Sequence, residues 1–96
     1  MTNTDLFIEK FLQFDLQIRE KAGIDYQLYD ELLTLLYLIS IDYANQDVIP
    51  KKLADVFLDM WGALTSSADM YDKTMRDEIN HIADNLCNKA RNIVCS

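Results

Sequence analysis

The sequence predicts an all-α fold: one domain of 96 residues, built as a four-helix bundle or an irregular small helical domain. Three observations predict it. Apolar residues recur at threes and fours along four segments, the period of amphipathic helices. Two glycines and one proline punctuate the chain, too few for the many turns of an all-β protein. Half of the residues are hydrophobic and 26% are charged, the balance of a chain that folds. A chain of this size buries roughly 60–65% of its unfolded surface, enough to fold alone with modest stability.

The first helix is expected over residues 4–22. Phe7, Ile8, Phe11, Leu12, Phe14 and Ile18 give one wide apolar stripe, and Gly23 suits the left-handed stop that follows. The second, over 26–45, starts after Asp25 as N-cap. Its main stripe is Leu28, Leu32, Leu35, Leu36, Ile39 and Tyr43, yet Tyr37, Leu38 and Ile41 lie off that stripe. A helix apolar on more than one face sits centrally or is covered by something else. Helix 1, helix 4, a second subunit in a homodimer and a partner all remain open as that cover.

The third helix is expected over 50–65, with Pro50 as its first residue, where a missing N–H costs nothing. Leu53, Val56, Phe57, Met60, Trp61 and Leu64 keep the helical period, which places Trp61 in the core. Ser66 with Asp69 three residues on reads as a capping box for the fourth helix, over 67–94. There Met75, Ile79, Ile82, Leu86, Ala90 and Ile93 run close to a heptad seam. Short links between such helices favour antiparallel neighbours.

The net charge of −7 is unevenly placed. Residues 1–24 hold four acids and three bases, 25–72 nine and two, and 73–96 three and four. An acidic centre repels nucleic acid and anionic lipid and attracts basic proteins. Cys87 and Cys95 are eight residues apart. On one helix that is about 12 Å, beyond disulfide reach, so reduced thiols in the cytoplasm are expected. The opening "MTNTDLFIEKF" lacks the basic and apolar regions of a signal peptide. The most apolar run, "LLTLLYLISI", has ten residues against the roughly 20 that span a bilayer. The sequence therefore predicts a soluble protein that engages neither membrane nor nucleic acid.

No motif predicts catalysis. Glu78 and His81 have the spacing by which facing helices supply di-iron ligands, but a metal-dependent helical enzyme of that type needs two such motifs and two further glutamates. The chain has one histidine, so no metal and no cofactor are expected. Cys87 and His81, six residues apart, point to divergent sides of a helix. The carboxylate pairs Asp30 and Glu31, Asp55 and Asp59, and Asp69 and Asp72 read as solvating charges.

What remains is binding. All five tyrosines fall in the acidic middle of the chain. Tyrosine supplies large contact area at low entropic cost, and neighbouring carboxylates steer basic partners. Tyr26, Tyr29, Asp30, Glu31, Tyr37, Asp42 and Asp47 are the expected recognition residues.

In "DYQLYDELLTLLYLISIDYANQD" and "NQDVIPKKLADVFLDM" the chain resembles the small acidic immunity proteins that neutralise bacterial nuclease toxins, including those of contact-dependent growth-inhibition systems and the nuclease colicins. That resemblance implies stoichiometric inhibition of a basic toxin domain in the producing cell, with no catalysis and no cofactor. The alternative is a small helical regulatory or anti-defence protein that blocks a nucleic-acid-binding protein by the same charge logic.

Overall fold

Three of the helices begin where a side chain takes up an N–H that has no partner within the helix. Thr2 Oγ1 accepts from the Asp5 amide, Asp25 Oδ1 from Leu28 and Asp72 Oδ1 from Met75, each at 3.0 Å. In the computed structural model, which describes residues 1–95, these caps open α1 (Asn3–Arg19), α2 (Tyr26–Asp42) and α4 (Lys73–Val94). Helix α3 (Lys51–Ala68) follows Pro50, whose carbonyl accepts from Ala54 at 3.1 Å. The fold is all-α.

The boundaries differ from the expected ones at several ends, and α2 stops at Asp42, three residues before the expected 45. Helix α1 stops at Arg19, because Lys21 (φ 62°) already turns left-handed before Gly23 (φ 86°) does so again. Pro50 stands one residue before α3, with extended backbone (ψ 139°), instead of inside it. Helix α3 also runs through Ser66 and on to Ala68. Ser67 and Ala68 are buried, so packing carries the helix past the supposed capping box. Asp72 takes the capping role that Ser66 was expected to play.

Side-chain pairs at the helix ends fix the topology. Asn3 donates to Asp42 and Lys10 pairs with Glu31, so α1 and α2 are antiparallel. Trp61 donates to Asp84, joining α3 to the antiparallel α4. Asp5 pairs with Lys52 near the starts of α1 and α3, while Tyr71, just past α3, bonds to the end of α1, so these two run parallel. Tyr26 with Glu78, and Tyr29 with Asn85, make α2 and α4 parallel. Each helix thus touches two neighbours, and the pairs α1/α4 and α2/α3 lie across the diagonals.

The core is continuous. Phe7, Phe11, Phe14 and Ile18 meet Leu32, Leu36 and Ile39 of α2, Leu53, Met60 and Leu64 of α3, and Ile79, Ile82 and Leu86 of α4, all buried. Two residues expected there are outside. Leu12 is 55% exposed and Trp61 is 51% exposed. Each lies about 100° round its helix from the buried residue before it, Phe11 or Met60, which is the edge of the covered stripe. Trp61 satisfies its indole N–H on Asp84 at 2.9 Å and keeps its ring half in solvent. Among the five tyrosines, Tyr71 has a structural post: its hydroxyl donates to the Ile18 carbonyl (2.7 Å) and accepts from Gly23 N–H (3.2 Å).

Phe14→Ala should cost about 3–5 kcal/mol in urea unfolding, and Leu12→Ala no more than about 0.5 kcal/mol. Equal costs would mean that the α1 stripe is wider than described. A second expectation concerns pH. The Lys52 ammonium and, after it, the Thr2 hydroxyl hold Asp5 below its ordinary value of 3.8. The contribution of this contact is therefore present above that value and lost as pH falls through the lowered one. In Lys52→Met the Asp5 carboxyl should titrate at a higher pH than in the wild type, read by side-chain NMR.

Candidate partner-binding surface

Helix α2 turns its buried stripe inward, which leaves Tyr26, Asp30, Thr34, Tyr37 and Ile41 on its outward side at helical spacing. Tyr37 is 65% exposed and Ile41 55%, with Leu38 beside them at 37%. Among the described residues, Tyr37 and Ile41 keep more than half of their surface uncovered, whereas Leu38 is mostly covered. Between residues 25 and 50 the chain has five acids and no base. The exposed apolar end of α2 therefore sits in a stretch of chain that carries acids and no base.

The seven expected recognition residues divide into two groups. Asp30, Tyr37, Asp42 and Asp47 are exposed. Asp42 holds only a neutral partner, accepting from Asn3 at 3.0 Å, so its charge stays uncompensated. Tyr26 is half exposed, and its hydroxyl donates to Glu78. That carboxylate, with a smaller part from desolvation, raises the phenol above its ordinary value. Tyr29 and Glu31 are used internally. The Tyr29 ring lies 6.2 Å from Phe14, and its hydroxyl accepts from Asn85 at 2.6 Å. Glu31 meets Lys10 at 2.7 Å, with both side chains partly exposed, an arrangement worth at most about 1 kcal/mol.

Beside the outward face an open groove of about 530 Å³ runs between α2 and α4. Leu33 and Leu36 line it from α2 beside Tyr37, and Lys89 and Asn92 line it from α4. Lys89 is thus a neighbour of the surface.

Glu78 is engaged by Tyr26, and His81 is exposed one turn further on. Burial, and then Asp84, push the Cys87 thiol up, opposed by Arg91, which disfavours its thiolate form. Among the described residues no three His, Cys, Asp or Glu side chains gather as metal ligands, and no helix is long and apolar enough to cross a membrane. A second exposed apolar site escaped the sequence reading: Leu58 on α3, 81% exposed, next to Trp61. Its position off the 3.6-residue stripe was the available signal. Comparison with known proteins finds no family model, curated protein or solved structure that matches this chain.

Tyr29→Phe should lower stability by about 0.5–1.5 kcal/mol, because Asn85 loses its acceptor. Tyr37→Ala should change it by no more than about 0.5 kcal/mol. Exposed Cys95 should react with iodoacetamide well before half-buried Cys87 does, read by mass spectrometry of the folded protein.

Proposed function

We propose that this chain is a non-enzymatic inhibitor of a basic protein, an immunity protein that occludes a nuclease toxin in the cytoplasm of the producing cell. The observation that carries the reading is the outward face of α2: Tyr37, Leu38 and Ile41 exposed, amid the uncompensated carboxylates of Asp30, Asp42 and Asp47. Its composition suits a contact in which aromatic and aliphatic groups are buried while carboxylates take the place of nucleic-acid phosphates. The resemblance of residues 25–60 to acidic immunity proteins supports the same reading. The protein acts by occupying the site, one chain to one toxin domain, and needs neither cofactor nor turnover.

The deciding experiment uses the purified protein to capture its partner from the producing cells. The captured protein should be basic, degrade RNA or DNA, and lose that activity at one equivalent of this chain. A nucleic-acid-binding protein without nuclease activity would point to the regulatory alternative, and an acidic partner would remove the charge argument altogether.

In that complex, Asp30→Lys or Asp47→Lys should slow association, and raising salt from 0.01 to 0.15 M should do the same as the Debye length shortens from about 30 to about 8 Å. Tyr37→Ala should act on dissociation, by about 2 kcal/mol if the ring is an anchor. Arg91→Glu, in the groove between α3 and α4, should leave both rates unchanged. Stopped-flow kinetics that respond to Arg91 and ignore Asp30 and Tyr37 would move the surface off α2.

A further inference from the structure

The outward edge of α3 carries two features that the single chain does not explain. Leu58 is 81% exposed. One turn on, Gly62 occupies an exposed helix interior, where glycine costs about 1 kcal/mol relative to alanine. A Cβ built at Gly62 meets nothing within 4 Å, so no contact inside the chain requires its absence. A missing side chain on an exposed helix is useful where another surface comes close.

One line along the outer side of α3 and its cap is Lys51, Asp55, Leu58, Gly62, the half-buried Thr65 and Asp69, at steps of four, three, four, three and four. This is the 3.5-residue spacing of a helix-pairing seam. It is also symmetric about residue 60. If a second α3 lies antiparallel with the two-fold axis there, Leu58 falls beside Gly62 of the other copy, and Lys51 falls opposite Asp69. Asp55 falls opposite Thr65, well away from its own copy. One register thus places the exposed leucine over the glycine and joins opposite charges. Neither Lys51 nor Asp69 takes part in an intramolecular ion pair among the described residues.

We propose that the chain forms a two-fold dimer through α3 in this register. A specific pair needs about 1,200 Å² of total buried surface, and a 19-residue seam is about 27 Å long. Trp61 widens it on the α4 side. Leu12 and Leu16, both exposed, widen it on the α1 side, where Asp15 and Arg19 line one groove with Leu58 and Gly62. The net charge of −7 on each copy opposes association at long range, and physiological salt screens much of that opposition. Because α2 lies diagonally across from α3, the dimer leaves both α2 faces outward.

Sedimentation equilibrium of the purified chain at physiological salt tests the dimer. The mass should approach two chains at high concentration, and Leu58→Glu should restore one. Lys51→Asp and Asp69→Lys should each weaken the dimer, and the double exchange should recover it, because it rebuilds both pairs in the antiparallel register. Each change suits the helix dipole at its own end, so the monomer keeps its fold. Gly62→Ala should raise the thermal midpoint of the monomer while weakening the dimer about tenfold or more. A chain that stays monomeric at millimolar concentration overturns the proposal. So does a dimer that is indifferent to Leu58→Glu, or one that the double exchange fails to recover. None of these outcomes depends on toxin binding through α2.

Discussion

The aromatic residues of α1 are the contact on which the rest of the structure depends. Phe7 stacks on Phe11 with centroids 6.2 Å apart and meets Phe57 of α3 edge-on at 5.9 Å. One turn on from Phe11, Phe14 faces Tyr29 of α2, whose hydroxyl accepts from Asn85 of α4. A single line of contacts therefore passes from α3 through α1 to α2 and ends on α4. Aromatic pairs of this kind add about 0.5–1.5 kcal/mol each beyond their buried area, and they also fix relative orientation. The two hairpins are held together by shape as well as by burial.

Inside this frame α2 has a divided task. Its inner stripe of leucines completes the core, and its outer side keeps an apolar end among carboxylates. The ion pairs among the described residues engage Asp5, Asp15, Glu31 and Asp77. Most of the 16 acids therefore remain without a cationic partner. Such an excess works against a compact chain through self-repulsion. A core that does not rely on charge can bear that repulsion.

Much of the fold was legible because helical period and capping are local. Asp25 was recognised as a cap from the chain alone, and the inward residues of α2 and α4 followed from spacing. The errors came where burial depends on neighbours. Leu12 and Trp61 are apolar and lie on the edge of a stripe, so only the positions of the adjacent helices decide that they stay outside. Ser66 has the chemistry of a cap, but the buried Ser67 and Ala68 carry the helix onward. The clamp of Tyr71 on Ile18 joins residues 53 positions apart and leaves no local trace. For the candidate surface, composition located the acidic segment. Only packing could separate Tyr29, turned inward, from Tyr37, left outside.

The diagonal placement of α2 and α3 gives the link between them an architectural role. Neighbouring helix axes lie about 8–10 Å apart, so a diagonal is roughly 13 Å. The eight residues 43–50 reach up to about 26 Å, which is ample for the crossing. A link of three or four residues would barely span it and would favour the arrangement in which α3 lies directly beside α2. Each hairpin would then present the same apolar faces to different neighbours. The length of an exposed loop thus permits the diagonal connectivity, and the contacts of α1 with α2 and α3 decide in its favour.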